Sequence, residues 1–192
     1  MNGNSVMHTG PRTVWLGRGP ARALKGFTLI ELMITVAIMV ILAVVAVPSF
    51  SEAILSNKLA SFSNSFVASA TLARSEAIKR NATVKLCRSA DGATCATSGG
   101  WQQGWIVFND IDGDGVVDAN ETLIQRQQAL SADYLLTGDV YSIDFQSIGA
   151  GATSATLKLC RASPSPGGQE RTILVSVAGR VSVSTTRTGV CS

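Results

Sequence analysis

The stretch that decides the fold is 26–48, with the sequence GFTLIELMITVAIMVILAVVAVP. After Gly26 it contains 21 residues, Phe27 to Val47, of which only Glu31 is charged. Because a helix of about 20 apolar residues spans a bilayer, length and composition predict a membrane segment. A carboxylate in such a segment is costly unless it has a partner, so Glu31 is a candidate functional residue.

Residues 1–26 form a basic leader, which holds four cations and no acid: Arg12, Arg18, Arg22 and Lys25. This charge predicts a cytoplasmic leader and an exported chain after the helix. Without the leader, 12 basic residues face 13 acidic ones, a net charge of −1, so global charge does not indicate nucleic-acid binding. The only histidine, His8, lies in the leader, which excludes Ser-His-Asp and Cys-His mechanisms and histidine-ligated metals from the rest of the chain.

The basic leader, Gly26, Phe27 and the run TLIEL at 28–32 together resemble the type III signal of type IV prepilins and pseudopilins. The resemblance implies that a prepilin peptidase cuts between Gly26 and Phe27 and methylates the new amino group of Phe27. It also implies that Glu31 pairs with the terminal amine of a neighbouring subunit, which compensates a charge held out of water. Pro48 falls where many pilins have a helix-kinking proline.

Apolar residues continue at spacings of three and four after Pro48, which predicts an amphipathic helix to about Arg80. The stripe consists of Leu55, Leu59, Phe62, Phe66, Ala73 and Ala77. Beyond Arg80, short β-branched or alternating runs separated by Gly, Asp, Ser and Pro are typical of strands. The seven predicted strands are Thr83–Arg88, Gly104–Asn109, Thr122–Gln127, Val140–Gln146, Ala155–Arg161, Arg171–Val177 and Arg180–Ser184.

The predicted fold class is therefore α+β, with one long helix packed on a carboxy-terminal antiparallel sheet. This is also the pilin layout that the resemblance implies. The predicted organisation is a cleaved leader at 1–26, a transmembrane and filament-core helix at 27–48, its amphipathic continuation at 49–80, and an exported β-rich domain at 81–192. Trp101 and Trp105 are expected to pack in the core against the amphipathic helix.

Four cysteines follow the membrane segment: Cys87, Cys95, Cys160 and Cys191. An even number of cysteines in an exported domain indicates disulfides, with three pairings open. Proximity in the sequence favours Cys87–Cys95 and Cys160–Cys191. Zinc is the alternative, but the spacing lacks the paired short form of structural zinc sites.

A twelve-residue run from Asp110 to Glu121 matches a calcium loop position by position. Acids stand at positions one, three, five, nine and twelve, with glycine at six: Asp110, Asp112, Asp114, Asp118, Glu121 and Gly115. The flanking runs GWIVF and TLIQR predict strands, so a hairpin turn without metal is the preferred interpretation of this run. Ca²⁺ is the alternative and the one candidate cofactor, and its role would be to make the loop rigid.

The exported part resembles the GspH/FimT branch of minor pilins and pseudopilins. The run WQQGWIVF at 101–108, the run LKLC ending at Cys160 and the pair Gly179-Arg180 carry this resemblance. It implies a non-enzymatic subunit in the tip or priming complex of a type II secretion pseudopilus or a type IV pilus. The implied partners are the prepilin peptidase, other pilins and an inner-membrane assembly platform, and the implied location is the bacterial inner membrane with the carboxy-terminal domain in the periplasm.

Two alternative functions concern the exported domain. Minor pilins of the FimT type that capture DNA carry Gly-Arg and then a second arginine two places on. Here Ser182 takes that place, so the motif is incomplete, and the candidate DNA contacts are Arg180 and Arg187. The other alternative is a calcium-dependent adhesin that uses the acidic loop.

Overall fold

The computed structural model describes residues 26–162, 170–185 and 191. Within them it contains one α-helix, eight strands and a 3₁₀ turn at Trp101–Gln103. The elements are α1 (Leu29–Arg80), β1 (Val84–Arg88), β2 (Trp105–Asn109), β3 (Leu123–Gln127), β4 (Tyr134–Gly138), β5 (Ser142–Phe145), β6 (Ala155–Arg161), β7 (Arg171–Val175) and β8 (Val181–Ser184).

Both ends of α1 have a local cause. At its start, the Thr28 hydroxyl accepts a hydrogen bond from the backbone N–H of Glu31 at 3.3 Å, which caps the first turn. At its end, Asn81 adopts a left-handed conformation with φ 52°. The N–H of Ala82 then donates to the carbonyl of Ala77 at 3.3 Å, which closes the last turn. The backbone of Pro48 lies within α1, while its side chain lies outside the described part of the chain.

The chain divides into two compact units, Met1–Val45 and Ala46–Ser192. In the described part of the first unit, every large apolar side chain is exposed, from 52% at Val36 to 78% at Phe27. By length and composition, α1 is apolar enough to cross a membrane.

In the second unit, α1 buries one face. The buried apolar residues of this face are Leu55, Leu59, Phe66, Ala70, Ala73 and Ala77, and Phe62 is half-buried beside them. Phe66 makes edge-to-face contacts with Trp101 and Trp105, with ring centroids 5.3 and 5.5 Å apart. The indole N–H of Trp105 donates to the buried Ser69 hydroxyl at 2.9 Å. The prediction that the stripe and both tryptophans form the core is confirmed.

The strands form two antiparallel four-stranded sheets, in the orders β3-β2-β1-β5 and β4-β6-β7-β8. The predicted α+β class, with a long helix followed by an antiparallel β-sheet domain, is confirmed, and the division of that domain into two sheets was not predicted. All seven predicted strands are present with ends that differ by at most two residues. The eighth, β4, was not predicted because it stands between two aspartates and ends in Gly138, a composition typical of loops.

Candidate functional sites: the amino-terminal helix and the acidic loop

The start of α1 presents the residues of the signal. Gly26 and Phe27 are exposed and precede the first helical turn, so the peptide bond between them is accessible. Glu31 is exposed in the first turn, surrounded along the helix by apolar side chains. Among the described residues it has no ionic partner. Its carboxylate is therefore available to a cation from another molecule.

Two disulfides join the four cysteines in the pairs that sequence proximity favours, Cys87 with Cys95 and Cys160 with Cys191. None of the four is a free thiol, so none is available as a zinc ligand. The first bond joins cysteines eight positions apart at the end of β1, and the second ties Cys191 to the end of β6.

The side chain of Arg88 stabilises the segment that follows the first disulfide through hydrogen bonds, and nothing in the sequence predicted this role. It is only 5% exposed. Its Nε donates to the carbonyl of Ala96 at 3.1 Å, and its Nη1 donates to the carbonyl of Gly99. Its guanidinium carbon lies 3.7 Å from the centroid of the Tyr141 ring, a cation–π contact. Since Tyr141 is distant in the sequence, only the fold brings the pair together.

The acidic loop brings its first three predicted ligands together. Single carboxylate oxygens of Asp110, Asp112 and Asp114 lie within 4.8 Å of one another. Asp110 is 1% exposed, and the other two are exposed. The Oδ1 atom of Asp110 accepts hydrogen bonds from the N–H groups of Gly113 at 3.0 Å and Gly115 at 3.4 Å. Both glycines have positive φ, so the turn depends on them.

The last two predicted ligands do not join this group. The Glu121 carboxylate accepts hydrogen bonds from the N–H of Ile111 at 2.7 Å and from the N–H of Asp118 at 3.3 Å. Glu121 therefore holds the two ends of the loop together through the backbone. The flanking elements are β2 and β3, so the loop is the turn of a β-hairpin, as the flanks predicted.

Lys85 is the residue of this region that sequence reasoning missed. It lies on β1, and its Nζ is 3.2 Å from Asp110 Oδ2 and 2.8 Å from Asp144 Oδ1. Burial alone would lower the pKa of Lys85, but the hydrogen bonds and charges of Asp144 and then Asp110 outweigh it and raise this pKa. Asp144 faces Lys85 through the β1–β5 register.

The ammonium group of Lys85 affects whether the acidic loop can bind calcium. The first three carboxylates have the chemistry and proximity that Ca²⁺ requires. Lys85, however, already neutralises Asp110, the only buried ligand of the three. A calcium ion would compete with Lys85 for that carboxylate, and calcium binding stays a prediction.

Of the two candidate DNA contacts, only Arg180 lies in the described part of the chain, and the structure does not place it beside Arg171, the arginine of β7. Arg180 is exposed at the turn between β7 and β8. Arg171 stands at the opposite end of β7 and donates to the Ser56 hydroxyl on α1 at 3.0 Å. Arg187 lies outside the described residues.

Two family models match the chain. The model of the type II transport protein GspH matches residues 63–179, more than half of the sequence, and the model of the prokaryotic N-terminal methylation motif matches residues 22–47. The motif implies processing by a prepilin peptidase and assembly with other pilins, and the apolar helix fits anchoring in the inner membrane. The pilins and pseudopilins of this family are structural, non-enzymatic proteins.

Two solved structures are similar to this chain. The minor pilin FimU of Pseudomonas aeruginosa has 20% sequence identity and a TM-score of 0.50, with 67% of this chain and 89% of FimU covered. The minor pseudopilin EpsH of the Vibrio cholerae type II secretion system has 14% identity and a TM-score of 0.49, with 66% and 96% covered. No curated protein sequence matches the chain. Its methylation motif and its GspH match make the chain a member of the GspH/FimT-type, pilin-like family.

Proposed function

We propose that the chain is a minor pseudopilin or pilin, a structural subunit of the tip or priming complex of a type IV filament machine. One observation carries the proposal. In the described part of the first unit, the large apolar side chains of α1 are all exposed, and the single charge, Glu31, has no ionic partner there. Such a surface requires lipid or other helices around it.

The signal supplies the partner for Glu31. Cleavage between Gly26 and Phe27 creates an amino group at Phe27, which is then methylated and remains a cation. In the assembled bundle, the Glu31 carboxylate of one subunit pairs with the Phe27 amine of its neighbour. Both charges are then compensated in an apolar environment, where either charge alone would be costly.

Before assembly, the subunit resides in the inner membrane with its β-rich domain in the periplasm. An inner-membrane assembly platform transfers it into the helical bundle. Between the two machines, the match to the GspH model favours the type II secretion pseudopilus. The likeness to FimU concerns the fold alone.

The test compares two substitutions of the same kind on α1. Glu31→Ala removes the carboxylate within the apolar segment, and Glu52→Ala removes an exposed carboxylate beyond it. We expect peptidase cleavage to persist in both variants. Incorporation into the filament fraction, measured by quantitative immunoblotting, should fall about tenfold for Glu31→Ala, equivalent to about 1.4 kcal/mol. It should be unchanged for Glu52→Ala.

Normal incorporation of the Glu31→Ala variant would contradict the pairing. A deletion strain separates the two machines. Secreted proteins trapped in the periplasm, with normal surface pili, would support the pseudopilus, and loss of surface pili with normal secretion would assign the chain to a pilus. Normal secretion together with normal pili would contradict the proposed function.

No observation on the described residues favours DNA capture or calcium-dependent adhesion over this function. Arg180 stands apart from Arg171, and the acidic loop already has a cation at Asp110. Neither alternative is proposed.

A further inference from the structure

The two sheets have four edge strands, which differ in how they are protected. An edge strand presents unpaired backbone groups, and proteins usually cover, bend or charge it. The edge strands of the first sheet are β3 and β5, and those of the second sheet are β4 and β8.

Three of the four edges are protected within the described residues. At β5, the N–H of Thr153 donates to the carbonyl of Asp144 at 3.1 Å, so the following loop covers the edge. At β4, the side chain of Gln102 accepts a hydrogen bond from the N–H of Leu136 at 3.3 Å. At β3, the pairing with β2 contains a register shift beside Phe108, and the strand carries the charge of Arg126.

The fourth edge, β8, has none of these protections among the described residues. Its sequence, VSVS, contains no charge and no proline, and its register with β7 is regular. The pair Ser176–Arg180 is hydrogen-bonded, with the N–H of Ser176 donating to the carbonyl of Arg180 at 3.0 Å. Bonded pairs alternate along an antiparallel ladder, so the backbone groups of Val181 and Val183 point toward the open edge.

A groove of about 630 Å³ lies on the face of the second sheet that carries Leu174, Arg180 and Ser182, and it extends to Thr156 and Asp139. Leu174 lines it and is 43% exposed. Ser182 stands directly opposite Leu174 in the register, and its small side chain leaves the leucine accessible from the edge. An added strand would place a side chain beside Ser182 on this open face, one strand spacing of about 4.8 Å from β8.

Charge selects the occupant. From 171 to 185 the chain carries two arginines and no carboxylate, and Asp139, the carboxylate that lines the groove, already accepts a hydrogen bond from the N–H of Thr156 at 2.9 Å. Arg171 is held by Ser56, which leaves Arg180 as the exposed charge beside the edge. A second copy paired through its own β8 would bring no acid to Arg180. An extended segment with an acidic side chain would.

We propose that β8 is a docking edge for an extended segment of another protein, which extends the second sheet by one strand. Main-chain hydrogen bonds to Val181 and Val183 would supply affinity, as in other cases of strand addition. The segment would place an aliphatic side chain beside Ser182 and an acidic side chain two residues away, beside Arg180.

The probe is a labelled nine-residue peptide that alternates valine and threonine and carries one glutamate two residues from the central valine. Binding to the full chain in detergent micelles is followed by fluorescence anisotropy. Two further peptides carry N-methyl groups on alternate amides, either those that face β8 or those that face away. We expect the first to bind at least about tenfold more weakly and the second to bind as the parent does.

The charge is tested by reversal. Arg180→Glu should weaken the glutamate peptide about threefold and strengthen a lysine version of it by a similar factor. Arg126→Glu, on the bulged edge β3, is the matched control and should change neither.

Hydrogen exchange checks the edge itself. Without peptide, the amides of Val181 and Val183 should exchange rapidly, and the glutamate peptide should slow them. Amides already protected in the free chain would overturn the proposal, because the edge would be occupied. So would equal binding of the two N-methylated peptides, or no anisotropy change up to about 1 mM peptide.

Discussion

The two stretches of α1 treat their apolar side chains in opposite ways. From Phe27 to Val45 every large apolar side chain is more than half exposed. From Leu55 to Ala77 one face of the helix is buried, and Leu59 and Phe66 are 0% exposed. An apolar stripe on one side of a helix finds its partner within the same chain, whereas a helix that is apolar all round requires a different solvent or other helices.

Charges show the same contrast. In the second unit, Lys85 is compensated within the chain by Asp110 and Asp144. In the described part of the first unit, Glu31 has no ionic partner. The pattern of a sequence thus predicts that a group must be satisfied, and the fold shows whether the chain itself does so.

The largest expected effect tests whether burial separates the two stretches. Phe66→Ala removes a ring that is 0% exposed and contacts both Trp101 and Trp105. It should lower the free energy of unfolding of the β-rich unit by about 3–5 kcal/mol, because a cavity replaces the ring. Urea unfolding followed by tryptophan fluorescence measures the change.

Phe50→Ala is the matched control, since Phe50 lies on the same helix and is 70% exposed. Its effect on the same transition should stay within about 0.5 kcal/mol. Equal destabilisation by the two variants would remove the distinction between side chains of α1 that the chain covers and those that it leaves exposed.

The next effect concerns the compensated charge. Lys85→Met would leave the carboxylate of Asp110, which is 1% exposed, without its cation. The free energy of unfolding should fall by about 3 kcal/mol, as expected when one partner of a buried ion pair is removed. Lys58→Met, at an exposed position of α1, should cost less than about 0.5 kcal/mol.

The same variant tests calcium. If the acidic loop binds Ca²⁺, the ion should stabilise Lys85→Met more than the original chain, because Asp110 is then free to act as a ligand. Unfolding of both proteins with Ca²⁺ and with a chelator gives the comparison. No stabilisation of either protein by Ca²⁺ would contradict the calcium prediction.

The smallest effect lies in the first disulfide loop and depends on pH. The N–H groups of Thr94 and Ala93 and the hydroxyls of Thr94 and Ser89 donate to Asp91, and together they lower the pKa of its carboxyl group. A lowered pKa in the folded state stabilises the fold above the usual aspartate value of about 3.8. This stabilisation is lost as the pH falls below that value.

Asp91→Asn should therefore be less stable than the original chain near neutral pH, and its stability should vary less between about pH 5 and about pH 2. Asp133→Asn, at another exposed aspartate, controls for the loss of one charge. An unchanged slope for Asp91→Asn would show that the hydrogen bonds at Asp91 do not stabilise the fold.

Local patterns were sufficient to predict most of the fold. The spacing of Leu55, Leu59 and Phe66 predicted the buried face of α1, and seven strands followed from alternation and β-branched residues. Strand β4 was not predicted because its conformation depends on pairing with β6 and not on its own composition. Tyr134 and Leu136 of this strand are buried. The division into two sheets likewise depends on long-range pairing.

Local patterns also predicted part of the two candidate sites, Glu31 and the acidic loop. The exposed carboxylate of Glu31 followed from one charge in an apolar run, and the convergence of Asp110, Asp112 and Asp114 followed from their spacing. The contact of Lys85 with Asp144 depends on the register between β1 and β5. The contact of Arg88 with Tyr141 depends on the fold, which brings the tyrosine ring from a distant segment of the chain. No local pattern encodes a register between strands so far apart.

The exposure of the stretch from Phe27 to Val45 has a consequence for the direction of assembly. Lipid tails and apolar helices are nearly equivalent surroundings for these side chains, so exchanging one for the other changes the hydrophobic free energy little. In the proposed function, entry into the filament is then close to reversible for most of the segment, and the pairing of Glu31 supplies the bias. A subunit of this kind can be stored in the bilayer, used, and returned to it intact.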